Sequence, residues 1–398
     1  MVSEKMEKLG NHRSVIREIF EYGNRRRAEI GPENVYDFSL GNPSVPPPQE
    51  VTDALLALLT EREPTALHGY TSAQGAPAVR EAIARHIEAE YGFPADPSLL
   101  YMTVGAAAAL TVSLNALLSG DGDEEVVVFA PFFPEYRVFI EAAGGRCVSV
   151  LCKEPRFEID TEALAAALSE RTRAVIVNSP NNPTGAVLSR ENLGAVADTL
   201  RAAEEKYGHP IYLLADEPYR ELVYGGLEVP YLPALYDDTV VLYSFSKSLS
   251  LPGERIGYIF VSPRARDCRR VYAAVLGAGR ALGFVCAPSL FQQLLPACLG
   301  KTADIAVYEK NRNLLLSELE ALGFTCVPPS GAFYLFIKAP GNDATAFAEL
   351  AKRHDLLLVP SDSFGCPGYV RLAYCVTTEM IERALPAFRA LASDCGLA

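Results

Sequence analysis

Short apolar, β-rich runs alternate with helical patterns through the middle of this 398-residue chain, and this alternation restricts the possible folds more than any other feature. The predicted strands lie at 99–103, 125–129, 146–151, 173–178, 211–215, 239–244 and 256–261. Helical stretches separate most of them, and such alternation is typical of parallel sheets because parallel neighbours need long crossover connections. The sequence therefore predicts an α/β fold with three α/β/α layers and a mostly parallel central sheet.

The chain is too long for one typical hydrophobic core, so we expect two closely joined domains. A proline run at 46–48 predicts a crossing between them. We assign residues 49–290 to a large domain that contains the predicted sheet and residues 291–398 to a smaller α+β domain. The N-terminal segment 1–48 is expected to pack with the small domain, so that both chain ends build it.

Charge and composition argue against several classes of partner. The formal net charge of −13 argues against nucleic acid, because binding to a phosphate backbone requires a basic face. The most apolar helical stretch, Ala106–Leu118, is too short to span a bilayer, so no membrane partner is expected. The nine cysteines contain no C-x-x-C pair and no two of the five histidines have metal-ligand spacing, so no metal is expected. An odd number of cysteines without a secretory signal predicts reduced thiols and a cytoplasmic protein.

The most informative segment for function is Ser244–Gly257, which follows the predicted strand 239–244 and contains Lys247. Ligands of α/β proteins bind at the carboxyl ends of strands, so a lysine there is placed to meet a ligand. Its amine can form a Schiff base with a carbonyl, and the neighbouring hydroxyls together with Arg255 can hold a phosphate. The alternative is a structural lysine in an unrelated α/β protein.

Three further segments place glycine or polar residues at strand ends. Gly105 opens a helix, where backbone N–H groups favour an anion, although a tight turn into a packing helix is the alternative. Asn182 lies in the rigid turn Asn178–Gly185, which holds its amide for hydrogen bonding. Asp216 ends an apolar strand, where its carboxylate can pair with a buried cation or cap the next segment. Tyr219, three residues later, can donate a hydrogen bond to the same ligand.

Together these segments resemble the class I and II aminotransferases, a family of fold type I pyridoxal-phosphate enzymes. The resemblance covers nearly the whole chain and depends on three motifs in the family's order: Asn-Pro-Thr-Gly at 182–185, Asp-x-x-Tyr at 216–219, and Ser-x-x-Lys…Arg from Ser244 to Arg255. One such motif is weak, whereas the ordered set is specific. The resemblance implies an aminotransferase with pyridoxal 5′-phosphate as its cofactor.

The resemblance also implies roles around the cofactor ring. Lys247 matches the lysine that forms the Schiff base with the cofactor and later shuttles a proton. Asp216 matches the partner of the pyridinium nitrogen, and Asn182 and Tyr219 match the residues that hold the phenolic oxygen. Phe133 matches the aromatic that stacks on the ring, with core packing as the alternative. Lys247, Asp216 and Tyr219 are therefore the expected catalytic residues.

Other matching positions concern the phosphate and the substrate. The expected phosphate contacts are Gly105, Ala106, Ser244, Ser246 and Arg255. Tyr70 matches the tyrosine that reaches the phosphate of the neighbouring subunit, which implies a homodimer with shared active sites. Gly41 and Asn182 are expected beside the substrate, and Arg371 matches the arginine that grips the substrate α-carboxylate as a bidentate pair.

The implied activity is transfer of the amino group of an L-α-amino acid to a 2-oxo acid by a ping-pong mechanism, in a biosynthetic process of amino acid metabolism. The same scaffold also carries C–S β-lyases and other eliminating enzymes, which are the enzymatic alternative. The non-enzymatic alternative is a ligand-sensing module of a regulator. We do not favour it, because the aminotransferase-like region begins within the first few dozen residues.

Some aspartate-specific relatives carry a lysine shortly after the glycine that matches Gly105, and alanine in that stretch here leaves dicarboxylate specificity open.

Overall fold

The computed structural model describes residues 2–11 and 14–397. Their α-helices are α1 (Glu4–Asn11), α2 (Val15–Ile30), α3 (Gln49–Glu61), α4 (Pro64–His68), α5 (Pro77–Tyr91), α6 (Ala106–Leu117), α7 (Glu135–Ala142), α8 (Thr161–Ala167), α9 (Arg190–Tyr207), α10 (Phe245–Ser248), α11 (Cys268–Ala281), α12 (Ser289–Cys298), α13 (Ile305–Ala321), α14 (Ala344–Lys352) and α15 (Thr378–Asp394). Their strands are β1 (Tyr36–Asp37), β2 (Leu100–Thr103), β3 (Glu125–Ala130), β4 (Arg146–Leu151), β5 (Thr172–Asn178), β6 (Tyr212–Asp216), β7 (Thr239–Ser244), β8 (Gly257–Val261), β9 (Cys326–Val327), β10 (Tyr334–Lys338), β11 (Leu356–Leu357), β12 (Val359–Pro360) and β13 (Tyr369–Ala373).

The central sheet has seven strands in the order β2-β8-β7-β6-β5-β3-β4. Strands β4, β3, β5, β6 and β7 run parallel, whereas β8 pairs antiparallel with both β7 and β2. Strands β3, β6, β7 and β8 are buried along their whole length, as expected for a sheet with helices on both faces. The predicted α/β fold with a mostly parallel central sheet is confirmed, and each predicted strand of this sheet lies within one residue of its observed bounds.

A second, smaller sheet is antiparallel and has the order β12-β13-β10-β9. The N-terminal segment reaches this part of the molecule, because β1 pairs in parallel with β11 and places Tyr36 opposite Leu356. Phe38 and Val45 join the apolar core formed mainly by residues from Ala303 to Ala392. Both ends of the chain therefore meet around the small sheet, while the division at residues 48 and 290 remains a prediction.

Two predicted details differ from the structure. Strands β11 and β12 are absent from the sequence prediction, because two-residue strands have no periodicity and exist only through their pairing with β1 and β13. The amphipathic pattern of residues 13–29 predicts a helix there, and the observed helix α2 begins at Val15, since Ser14 caps it by accepting a hydrogen bond from the backbone N–H of Arg17. Residue 13 lies outside the described residues.

Three properties of the described residues concern membranes, metals and thiols. None of their helices combines the length and apolar character that crossing a bilayer requires. No group of three or more His, Cys, Asp or Glu side chains among them is arranged to hold a metal ion. All nine cysteines fall within the described ranges, and each is a free thiol.

Candidate active site

The carboxyl ends of β5, β6 and β7 meet at one edge of the central sheet. Asn178 ends β5 in register with Asp216, which ends β6, and β7 ends at Ser244, which caps the helix α10 that carries Lys247. The Asn178 amide donates to the Asp216 carbonyl oxygen at 2.9 Å and accepts from the Asn182 backbone N–H at 2.9 Å. These bonds hold the turn of Asn182 against the end of β6, where α/β proteins bind ligands.

The side chain of Lys247 extends from α10 to the N-terminal segment. Its Nζ donates a hydrogen bond to the Gly41 carbonyl oxygen at 2.6 Å. Burial is the main cause that lowers the pKa of Lys247 to about 8, and the positive charges of Arg255 and Arg371 act in the same direction. A large fraction of this amine is therefore neutral, and nucleophilic, at a pH where an ordinary lysine is almost fully protonated.

We expect capture of pyridoxal phosphate by the cofactor-free protein to follow the protonation of Lys247. Only the neutral amine is nucleophilic, so the capture rate should rise with pH. It should reach half its maximum at about pH 8 and become constant at higher pH. An unperturbed lysine would place that midpoint at about 10.4. Rapid mixing at a series of pH values, followed by visible absorbance, measures the profile, and a midpoint above about pH 10 would show that burial does not activate this amine.

The carboxylate of Asp216 is buried, and only one of its two oxygens accepts a hydrogen bond from the described residues. Oδ2 accepts a hydrogen bond from the Tyr136 hydroxyl, whereas Oδ1 has no partner. Burial raises the pKa of Asp216 to about 7, and the hydrogen bond from Tyr136 opposes this shift. A buried carboxylate oxygen without a partner is costly, so this site favours a cationic N–H donor such as a protonated ring nitrogen.

Arg371, on β13, is a buried cation that forms no ion pair with any of the described residues. Its side chain is 2% exposed, Nη1 donates to Asn182 Oδ1 at 3.1 Å, and Nη2 donates to the Ser39 carbonyl oxygen. Its Nε is buried without a partner, and no carboxylate in the described part of the chain forms an ion pair with it. Buried charges are normally paired, so Arg371 can receive the oxygens of an anionic ligand without breaking an internal ion pair.

Two buried tyrosines connect this arginine to the loop after β6. The hydroxyl oxygens of Tyr219 and Tyr334 are 2.9 Å apart. The guanidinium carbon of Arg371 lies 4.6 Å from the centre of the Tyr334 ring, within the range of a cation–π interaction. Contacts therefore run from the Asn182 turn through Arg371 and Tyr334 to Tyr219, and they join the two sheets.

A cradle for an anion forms at the N-terminus of α6. Gly105 has a φ of +87°, a backbone conformation that favours glycine, and a Cβ atom there would lie 2.5 Å from Nη2 of Arg255 and displace that guanidinium group. Arg255 Nη1 donates to Ser246 Oγ at 3.4 Å, and the Ser244 and Ser246 hydroxyl oxygens are 2.8 Å apart. The N-terminus of α6, which begins at Ala106, thus lies with two hydroxyls and a guanidinium group, a combination that fits a phosphate.

The remaining predicted residues differ in their distance from this cluster. Phe133 packs edge-on against Tyr136 with ring centres 5.7 Å apart, next to the Asp216 carboxylate. Gly41 lies at the cluster through its hydrogen bond from Lys247. Tyr70 is 89% exposed, which separates it from the buried cluster of its own chain.

Three buried residues of the cluster are missing from the sequence predictions: Tyr136, Tyr334 and Cys375. Tyr136 lies three residues after Phe133, a helical spacing that was the one local signal for it. The Cys375 thiol donates to the Leu40 carbonyl oxygen at 3.5 Å, so it holds the N-terminal segment next to the carbonyl that binds the lysine. No local pattern indicates Tyr334 or Cys375, because their partners are distant in the chain.

Comparisons with known proteins agree on one family. The model of the family "Aminotransferase class I and II" matches residues 33–388. The crystal structure of an amino transferase from Eubacterium rectale is 51% identical, with a TM-score of 0.97 and 99% of each chain covered. The aspartate aminotransferase of Thermotoga maritima is 31% identical over 370 residues, covering 89% of this chain and 90% of that protein. Aromatic-amino-acid aminotransferase 2 of Thermococcus litoralis is 30% identical over 389 residues, covering 94% of each.

The residues present fit the cofactor of this family on observations that do not depend on the matches. Asp216 offers an unpartnered buried oxygen for a ring N–H, Gly105 and Arg255 form an anion cradle, and Lys247 offers an amine of lowered pKa for a carbonyl. The resemblance predicted from the sequence motifs is confirmed by the family match over most of the chain. The chain therefore belongs to the class I and II aminotransferases, and it is a transaminase that depends on pyridoxal phosphate.

Proposed function

We propose that this transaminase moves the amino group of an L-α-amino acid to a 2-oxo acid by a ping-pong mechanism. The observation that carries the proposal is Arg371, a buried guanidinium in the same cluster as the Lys247 amine that pairs with no carboxylate in the described part of the chain. A ligand with a carboxylate close to its reacting carbon supplies that missing charge. Both substrates of a transamination, the amino acid and the 2-oxo acid, carry such a carboxylate.

The cofactor phosphate would be held by the cradle at α6, whose members are Gly105, Ala106, Ser244, Ser246 and Arg255. Asp216 would receive the ring nitrogen and keep it protonated, because the buried carboxylate is stabilised by a cation. Asn182 and Tyr219 would hold the phenolic oxygen, and the Phe133 ring would stack on the cofactor. Bound pyridoxal phosphate supplies an electron sink for the electron pair left when the substrate loses its α-proton.

Lys247 then has two tasks for which its surroundings prepare it. Its neutral Nζ would be the nucleophile that holds the cofactor through its carbonyl, a role which the lowered pKa favours. When it is not joined to the cofactor, Nζ would accept the α-proton of the substrate as a general base and return it as a general acid. The Gly41 carbonyl, 2.6 Å from Nζ, would hold the free amine at the site between these steps.

Substrate orientation would depend on Arg371 and Asn182. The Arg371 guanidinium can form a bidentate pair with the α-carboxylate, and the Asn182 amide oxygen fixes the orientation of that guanidinium at 3.1 Å. Gly41 would lie beside the bound substrate. Two of the three reported relatives are named for different amino acids, one for aspartate and one for aromatic amino acids, so the side-chain class is left to experiment.

A panel of half-reactions tests the proposed activity. Holoenzyme mixed with single amino acids, in the absence of any 2-oxo acid, should lose its visible absorption band in proportion to substrate preference. After removal of the amino acid, a 2-oxo acid should restore the band, and steady-state plots should show the parallel lines of a ping-pong mechanism. Catalytic release of pyruvate and ammonia without an acceptor would instead support the β-lyase alternative.

We further propose that the enzyme is a homodimer in which Tyr70 contacts the cofactor phosphate of the neighbouring subunit. Helices α3 and α4 pack against α12, and α3 exposes Leu56 and Leu59, which are 57% and 54% exposed. Tyr70, two residues after α4, is 89% exposed. Large exposed apolar side chains favour a partner surface. Sedimentation of the active holoenzyme tests this proposal, and a fully active monomer would contradict it.

We also propose that the protein is cytoplasmic and that it acts in a biosynthetic process of amino acid metabolism. The nine free thiols support a reducing compartment, where disulfides are rare. Fractionation of cells followed by immunodetection tests the compartment, and recovery in an oxidising compartment would contradict it.

A further inference from the structure

We propose that Tyr334 is a positioning residue that couples Tyr219, the donor to the cofactor's phenolic oxygen, to Arg371, the carboxylate grip. The inference rests on the proposed roles of those two residues and adds the element that joins them. Tyr334 lies on β10 of the small sheet and is 2% exposed. Its hydroxyl and its ring contact different partners, so each part of the side chain carries a separate task.

The ring of Tyr334 supports the guanidinium of Arg371. Strands β10 and β13 are antiparallel and place Tyr334 opposite Ala373, so Arg371 is a diagonal neighbour on the same face. Its guanidinium carbon lies 4.6 Å from the ring centre, while Nη1 is held by Asn182. The aromatic face thus stabilises a buried cation that forms no ion pair with the described residues and fixes its plane before a carboxylate arrives.

The hydroxyl of Tyr334 acts on Tyr219. Their hydroxyl oxygens are 2.9 Å apart and both rings are buried. When Tyr219 donates its proton to a ligand oxygen, its own oxygen is free to accept a proton from Tyr334. A hydrogen bond received in this way polarises the Tyr219 hydroxyl and strengthens its donation to the ligand.

The position of the Tyr334 hydroxyl also explains why residue 41 is glycine. A Cβ atom on Gly41 would lie 2.1 Å from the Tyr334 hydroxyl oxygen and 3.0 Å from its Cζ. The same Gly41 accepts the hydrogen bond from Lys247. The absence of a side chain at Gly41 therefore lets the Tyr334 hydroxyl and the Lys247 amine approach the same backbone position.

Two substitutions separate the two tasks. Tyr334→Phe removes only the hydroxyl, and it should raise the pH midpoint of the bound cofactor's visible spectrum by about 0.5–1 pH unit. The sign follows from the form that Tyr219 stabilises. When the link between Lys247 and the cofactor loses its proton, the negative charge on the cofactor's phenolic oxygen is no longer balanced by a neighbouring positive charge, and the hydrogen bond from Tyr219 stabilises that form most. Tyr334→Leu also removes the ring, and it should raise KM for the amino acid by roughly 3- to 30-fold beyond Tyr334→Phe, since it removes the cation–π contact.

The matched control is Tyr374→Phe. Tyr374 and Tyr224 form another buried hydroxyl pair, 3.3 Å apart, in the core around the small sheet and without contact to Tyr219 or Arg371. Removal of the Tyr374 hydroxyl should leave both the pH midpoint of the visible spectrum and the KM for the amino acid unchanged. Melting of the cofactor-free variants shows whether each one folds.

A double-mutant cycle decides the proposal. If Tyr334 acts through Tyr219, then Tyr334→Phe should not shift the spectral midpoint further in a Tyr219→Phe background. Equal shifts in both backgrounds, or an unshifted midpoint in folded Tyr334→Phe protein, would overturn the coupling. Failure of the proposed function is distinguishable, because wild-type holoenzyme would then show no visible band that amino acids bleach.

Discussion

Replacement of Lys247 by alanine is expected to abolish the borohydride-reducible link to the cofactor and to lower transamination by at least about 10⁴-fold. The loss is large because one amine serves both as the nucleophile for the cofactor and as the carrier of the substrate α-proton. The phosphate cradle at Gly105 and Arg255 is untouched, so non-covalent cofactor binding should persist. Mass spectrometry after borohydride reduction measures the link, and steady-state kinetics measure the activity.

Two variants show whether the effect belongs to this amine. Lys301→Ala removes a half-exposed lysine that pairs with Glu50 at 3.0 Å, and it should change neither the link nor the rate. Lys247→Arg keeps a positive charge at the site, yet arginine stays protonated and should not form the link. The role of Lys247 would be refuted if Lys247→Ala protein kept the same reducible link as the wild type.

The second large effect is expected for Arg371→Leu, which should lower kcat/KM for amino acids by about 10²–10³-fold, mainly through KM, while the cofactor is retained. Arg371→Lys keeps the charge but loses the planar bidentate geometry, so an intermediate loss is expected. Because no carboxylate in the described residues pairs with Arg371, the leucine variant leaves no acid buried alone. The melting temperature of the substrate-free protein should therefore fall only by the effect of the lost hydrogen bonds to Asn182 and Ser39, which is less than the loss of a buried ion pair.

Arg220 provides the matched contrast, since it is a buried arginine of the opposite kind. It is 5% exposed and binds Glu217 through Nε–Oε2 at 2.6 Å and Nη2–Oε1 at 2.9 Å. Arg220→Leu leaves Glu217 buried without its cation and should destabilise the fold by about 3–5 kcal/mol. Thermal unfolding and KM are measured for both variants. A destabilised Arg371→Leu protein with an unchanged KM would assign Arg371 a structural role and contradict the carboxylate grip.

The bounds of the strands in the central sheet could be predicted closely, because each strand has a pattern that is visible in its own residues. Runs such as Val126–Ala130 are continuously apolar, as required of strands covered on both faces, and turn residues bound them. Strands β11 and β12 could not be predicted, since only their pairing partners turn two residues into a strand. The family and its cofactor were readable from ordered motifs, which the family match confirms.

Only part of the candidate site could be predicted from the sequence. The contacts that could not be predicted join residues that are far apart in the chain. Asn182 and Asp216 follow strands that end at one edge, so their neighbourhood follows from the parallel topology. The Tyr136 hydroxyl bound to Asp216 and the Tyr334 hydroxyl beside Tyr219 involve partners 80 and 115 residues apart, which no local pattern encodes. The individual roles of the site residues stay predictions that the experiments above test.

The contacts of the N-terminal segment have a consequence for how the enzyme is made. Gly41 binds Lys247 across 206 positions of sequence, and Ser39 binds Arg371 across 332. During vectorial synthesis the central sheet can fold while the last strands are still inside the ribosome, since domains fold as units from the N-terminus. The Ser39 carbonyl must then wait, unpaired, for Arg371, which emerges only after the central sheet is complete. A nascent chain therefore carries the lysine and its phosphate cradle before it can grip a substrate, and catalytic competence is gained only when the two ends of the polypeptide meet.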